Sequence, residues 1–324
     1  MHRQPRMTTP VRGGGAIRIG ISGWRYAGWR GEFYPDGLPQ RAEMEYACSR
    51  FSTVEINGTF YSLQRRAYFR QWADATADDF VFAAKGSRFI THMKQLNEPE
   101  QALSNFFGQG VLELGRKLGP VLWQFSPRFR FRPDRIAPFL DLLPRTHEEA
   151  ASLARQHDHR AKDPAIDALS AGAIRHAVEI RHESFLVPEF IDLLRERRIA
   201  LVVSDNPGLY PVVEEPTAPF MYLRLHGAER MYHGSYSDPA LAFWAHRITD
   251  WAEGREPGDA ARVTAGEPPG ADRRDVYVYF DNDEKTRAPF DARRLMERLH
   301  LADDFPRPGT DERRAPGQKD ASAS

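Results

Sequence analysis

The chain has 324 residues, enough for one large α/β domain or two ordinary ones, and at 41% hydrophobic it can bury a sizeable core. Its 45 basic residues balance 45 acidic ones, which argues against a dedicated nucleic-acid coat protein but leaves room for a local basic patch that holds phosphate. The one cysteine, Cys48, excludes an intramolecular disulfide and suits a reducing compartment; without a Cys/His cluster, no metal and no cofactor is expected.

The basic, Gly/Pro-rich start "MHRQPRMTTPVRGGG" (1–15) has no apolar run of a signal peptide and reads as a flexible tail. Short β-rich runs then recur: "IRIGISG" (17–23), "TVEINGTF" (53–60), "FVFAAKG" (80–86), "PVLWQF" (120–125), "HAVEIRH" (176–182), "IALVVSD" (199–205), "FMYLRLHG" (220–227) and "VYVYFDN" (276–282). Between them lie segments with apolar residues near a 3.6 period, which predict helices. They are "RAEMEYACSRF", which places Cys48 as a buried structural thiol, "EQALSNFFGQGVLELGRKLG", "PEFIDLLRERR", "PALAFWAHRITDWAEG" and "DARRLMERLH". Pro188 and Pro239 suit a first helical turn, with Asp238 as the N-cap before the second.

Eight strands with intervening helices predict a (β/α)₈ barrel, a single domain over 16–303, rather than a doubly wound sheet. The glycines of "GISGWRYAGW" are followed by Trp24 and Arg25 with no helix start, which disfavours a dinucleotide site. Residues 145–166 read as an insertion with partial helix character, 254–274 as a flexible loop, and the polar 304–324 as a disordered tail. No stretch is long and apolar enough to span a membrane, so a soluble, cytoplasmic protein without a membrane partner is expected.

Strand side chains alternate between faces. On three strands the alternation puts aliphatic residues on one face and polar ones on the other: Val54 and Ile56 against Glu55 and Asn57, Val178 and Ile180 against Glu179 and Arg181, Leu223 and Leu225 against Arg224 and His226. In a barrel the aliphatic faces meet the helices and the polar faces converge inside. Lys85, Gln124, Asp205, Asp281 and Asn282 add polar groups at the C-terminal strand ends, where barrel active sites are built. "SGWRYAGWRGEFYP" and "NGTFYSL" would wall the mouth with aromatic residues, among them Trp24 and Tyr61. A plainer reading is that Glu179 and Arg181 only neutralise each other, and that Trp24 and Trp29 pack.

The serial motifs "GISGWRYAGWRGEFYP", "VEINGTFY", "FVFAAKGSRFITH", "LGPVLWQFSPRF", "VEIRHESF", "YLRLHG" and "VYVYFDND" resemble the YecE-like family, domain of unknown function family 72, from about Ile17 to about Leu301. Ser126, Phe185 and Asp281 depart from the residues common there (proline, tryptophan and asparagine). The resemblance implies a TIM barrel but no reaction. Its members' likeness to barrel endonucleases acting on damaged DNA is one of fold.

Three functions suit these residues. The first is binding or transformation of a small anionic or phosphorylated ligand. Lys85, Arg181 and Arg224 would be cationic donors, with Trp24, Asn57, Tyr61, Gln124, Asp205 and Asn282 as further binding candidates. Glu55, Glu179 and His226 are the proton-transfer candidates. The second is nucleic-acid binding or processing, with Trp24, Trp29, Phe60 and Tyr61 stacking on bases and Arg25, Arg30, Arg65 and Arg66 following a backbone; zero net charge makes nucleic acid the weaker partner. The third is glycoside hydrolysis by Glu55 and Glu179, in which flanking arginines would hinder the acid.

Overall fold

The computed structural model describes residues 14–227, 234–266, 270–282, 286–303 and 305. Eight parallel strands close into a barrel in sequential order: β1 (Ile17–Ser22), β2 (Thr53–Ile56), β3 (Val81–Lys85), β4 (Leu118–Gln124), β5 (His176–Glu179), β6 (Ala200–Asp205), β7 (Phe220–Leu225) and β8 (Asp275–Phe280). The helices outside it are α1 (Glu43–Cys48), α2 (Gly58–Tyr61), α3 (Arg66–Asp74), α4 (Glu100–Gly108), α5 (Pro133–Leu142), α6 (His147–Ala154), α7 (Pro188–Arg197), α8 (Asp238–Ala252) and α9 (Arg287–Arg298). The (β/α)₈ barrel read from the strand–helix alternation is the fold observed.

The pleat sorts side chains as expected. Val54, Ile56, Val178, Ile180, Leu223 and Leu225 join Phe69, Leu103, Ile191, Ile248 and Leu295 of the helices in the outer core. Each such buried aliphatic or aromatic side chain is worth about 1.5–3 kcal/mol. Inside the barrel a second apolar cluster fills the lower layers with Val81, Ala83, Leu122, Ala177, Val202, Phe220, Tyr222, Tyr277 and Tyr279. That plug closes the barrel from below and leaves the polar layer facing the C-terminal mouth.

Local chemistry shortened several expected elements. β2 ends at Ile56 and the chain turns directly into α2, so "NGTF" is helical rather than extended. The long "EQALSNFFGQGVLELGRKLG" helix breaks after α4, because Gly110 and Gly115 take φ of 130° and 50°. A Cβ at Gly110 would meet the backbone of Arg66 and the Phe69 ring, both at 2.7 Å. Ser237, not Asp238, caps α8 by accepting from the Ala240 amide, while Asp238 pairs with Arg294 and Arg298.

Within the 145–166 segment, α6 opens on Thr146, whose side chain accepts from the Glu149 amide, and Ala150, Ala151 and Ala154 are buried in the outer core. Residues 254–266 and 270–274 form no helix or strand, yet buried carboxylates hold them. Glu214 accepts from Ala261 N and Arg247, Glu215 from Val263 N, Thr264 N and Arg195, and Arg274 pairs with Glu256. Most of the two expected tails lies outside the described residues. Among the described residues, no helix is long and apolar enough to cross a membrane.

Candidate functional site

Arg224 is the hub of the polar layer. Its side chain has no solvent exposure and points up from β7, next to Ser204 of β6 in register. Nε donates to Glu55 Oε2 (3.2 Å), Nη1 to Glu179 Oε2 (2.9 Å), and Nη2 to Glu55 Oε1 (3.0 Å), Asp281 Oδ2 (2.9 Å) and Ser22 Oγ (3.0 Å). Five N–H groups facing this many acceptors leave Arg224 nothing for a ligand.

Its partners are equally committed. Glu55 also accepts from the Ser22 hydroxyl and from Tyr222 OH (2.6 Å), and Glu179 from Gln124 Nε2 (2.9 Å) and Arg181 Nε (3.0 Å). His226 is enclosed, with Nδ1 3.0 Å from Asp281 Oδ2 and Nε2 3.6 Å from Glu179 Oε1. Burial acts to raise the Glu179 pKa, but Arg181, Arg224 and His226 outweigh it and hold the group well below the usual carboxylate range. The same balance, with burial opposed by Arg224, His226 and Lys85, depresses Asp281.

Above this layer opens a cleft of about 740 Å³, lined by Tyr26, Asn57, Phe60, Tyr61, Lys85, Arg88, His92, Met93, Gln124, Arg181 and Asp281. A π-helical turn after β3, Phe89–Met93, carries His92 and Met93 into its wall; such turns recur at functional sites. Lys85 ends β3, and its ammonium sits 4.4 Å from the Phe60 ring centroid with no ion pair or hydrogen bond from its side chain among the described residues. Burial, then the positive charge of Arg224, lowers the Lys85 pKa to about 8 against the pull of Glu55, Glu179 and Asp281. Burial, then Arg181 and Lys85, lowers His92 to about 4, leaving a neutral imidazole beside Thr91 Oγ1 at 2.9 Å. Arg88 lies over Tyr61 at 5.2 Å, and Arg181 over Tyr210 at 4.7 Å. Next door, a pocket of about 350 Å³ is walled by Trp24, Trp72, Tyr68, Tyr26 and Tyr61, with Tyr26, Asn57 and Tyr61 shared between the two spaces.

The predicted residues therefore divide. Asn57, Tyr61, Lys85, Gln124 and Arg181 line the cleft, and Trp24 lines the adjoining pocket. Glu55, Glu179, Arg224 and His226 do converge in one layer, but with zero side-chain exposure they form the structure beneath the floor. Asp205 and Asn282 need correction, since both fall on the outward phase of the pleat. Asp205 accepts from Tyr236 OH (2.7 Å) and Trp244 Nε1 (3.2 Å), while Asn282 donates to Asp291 of α9 and to Gly234 O (2.9 Å each). The inward residues at those levels are Ser204 and Asp281. Burial, opposed by Tyr236, Trp244 and His226, raises Asp205.

Ser22, Tyr222 and Arg88 were not anticipated. Counting pleat phase from Glu55 and Arg224 identifies Tyr222, two residues from Arg224 on the same face. No sequence signal marks Arg88. Of the arginines offered for a nucleic-acid backbone, Arg30 pairs with Glu43 and Arg66 with Glu113. Trp29 is buried against Phe33 and Tyr34, so it packs rather than stacks on a ligand. The Glu55/Glu179 pair expected of a glycosidase is bound to one guanidinium and does not line the cleft. Among the described residues, no three His, Cys, Asp or Glu side chains group so as to hold a metal.

The model of the family described as "Protein of unknown function DUF72" matches residues 18–315. The chain belongs to this family. Similar proteins include the UPF0759 protein YunF of Bacillus subtilis, 26% identical over 126 residues (37% of this chain and 44% of that protein). The UPF0759 protein YecE of Escherichia coli K12 is 29% identical over 123 residues, covering 34% of this chain and 43% of that one. The matched stretch thus spans less than half the length of these relatives. A DUF72 protein structure from Thermotoga maritima superposes with a TM-score of 0.64 at 24% identity, covering 88% of this chain and 99% of that one. One from Enterococcus faecalis gives 0.63 at 18% identity, covering 88% and 95%. These likenesses concern the fold.

Proposed function

We propose that this DUF72 protein binds a small phosphate- or carboxylate-bearing ligand in the cleft at the C-terminal mouth of its barrel. One observation carries the reading: Lys85, Arg88 and Arg181 line a cavity whose one acidic lining residue among those described is Asp281. Beneath it charges balance, Lys85, Arg181 and Arg224 against Glu55, Glu179 and Asp281, so Arg88 leaves the assembly with an excess positive charge that an anion satisfies. Lys85 and Arg88 make no ion pair among the described residues, and a ligand anion would not have to displace a carboxylate from either.

Inorganic phosphate and a panel of small carboxylates and phosphate esters, read by thermal shift and calorimetry, test this. Wild type should be stabilised, and Arg88→Ala and Lys85→Met should each weaken binding about tenfold or more, the worth of one charge-assisted hydrogen bond at roughly 1.5–3 kcal/mol. If no anion stabilises wild type, or both variants bind as wild type does, the reading fails.

A further inference from the structure

We infer that Lys85 is a nucleophilic amine that captures the carbonyl carbon of an anionic aldehyde or ketone as a Schiff base in the cleft. The inference rests on the anion-site reading, with Arg88 and Arg181 holding the anionic end of the substrate. Three observations support it. Lys85 is only 7% exposed, yet it lines the cleft. Its side chain makes no hydrogen bond or ion pair among the described residues, although most buried lysines are paired. The nearby carboxylates are already engaged, Glu55 and Glu179 by Arg224, Arg181, Ser22, Tyr222 and Gln124 and Asp281 by Arg224 and His226, which leaves the amine without a direct partner beneath open space. Desolvation beside a second cation is one way proteins keep an amine nucleophilic near neutral pH.

The step balances without an oxidant or reductant. The neutral Nζ lone pair forms a bond to the carbonyl carbon, and the C=O π pair moves to oxygen, which takes a proton, giving a carbinolamine. Nitrogen gives up a proton to solvent, and its lone pair then forms the second C–N bond as the hydroxyl leaves with a proton as water. Overall, ammonium plus carbonyl gives iminium plus water.

The test incubates the full chain with glyoxylate, pyruvate or dihydroxyacetone phosphate and sodium cyanoborohydride, then locates the reduced adduct by peptide mass mapping. Lys85 should be modified at least tenfold faster than the exposed Lys162 with at least one probe, with a rate rising through about pH 8, and excess inorganic phosphate should slow it. Lys85→Arg, which removes the primary amine but keeps a cation, should lose the fast adduct. The wild-type pH profile and phosphate protection decide the matter even if that variant folds poorly. If Lys85 labels no faster than Lys162 with every probe while phosphate still stabilises the protein through Arg88, the anion site stands and the amine chemistry is refuted. If phosphate also has no effect, both readings fall.

Discussion

Replacing Arg224 with methionine tests whether the buried network is scaffold or ligand site. The substitution keeps an unbranched side chain of similar length but removes the guanidinium that serves Glu55, Glu179, Asp281 and Ser22. Each carboxylate keeps some support: Glu55 from Ser22 and Tyr222, Glu179 from Arg181 and Gln124, Asp281 from His226. What is left is a buried layer with excess negative charge, and breaking one buried pair costs about 3–5 kcal/mol. For a domain of this size that corresponds to a fall in melting temperature on the order of 10 °C. In wild type the depressed Glu179 and Asp281 groups contribute stability above the unfolded carboxylate pKa, and it is lost as pH falls through their folded values. Arg224 supplies part of that depression, so the gap between wild type and Arg224→Met should be full at pH 7 and narrow only below about pH 4, as the pH falls from the unfolded carboxylate pKa toward the folded values. Thermal melts followed by circular dichroism across that range, without ligand, measure it. A variant that melts within a degree or two of wild type yet loses anion binding would refute the scaffold reading and place Arg224 in the site.

Lys85 makes a prediction of the same sign in a higher pH window. Its folded pKa of about 8 lies below the ordinary lysine value of 10.5, so the unfolded chain binds the extra proton between those values and stability rises with pH across that window. Relative to Lys85→Met, wild type should gain up to about 3 kcal/mol from below pH 8 to pH 10.5, read as denaturant midpoints; a flat difference would mean the amine is not desolvated. Cys48 is buried in α1, and burial, then Glu45, pushes its thiol pKa up, so a thiol reagent should label it only after unfolding. Labelling of the native protein at the rate of a free thiol would contradict this. Gly86 follows Lys85 where a Cβ would come 2.3 Å from the Trp123 ring, so Gly86→Ala should cost about 1–3 kcal/mol and loosen the end of β3. Unchanged stability would show that Trp123 has room to move.

The sequence by itself determined the barrel and the phase of its polar layer, because both follow from short-range rules. Strand–helix alternation specifies the architecture, and the two-residue period of "VEIN", "VEIR" and "LRLH" assigns Glu55, Glu179, Arg181, Arg224 and His226 to one face. The same rule applied to β6 and β8 would have turned Asp205 and Asn282 outward and brought Ser204 and Asp281 in. Which of the inward charges meets solvent was decided only by the tertiary structure, since it depends on how residues from different strands divide a fixed number of hydrogen-bond donors. Arg224 is surrounded by three carboxylates brought from β2, β5 and the end of β8, whereas Lys85 on β3 lies against Phe60 and pairs with none of them. Two cations that look alike along the chain thus part roles, one consumed in holding the barrel together and the other left facing the cleft, because pairing is settled by distances of a few ångströms between residues far apart in sequence.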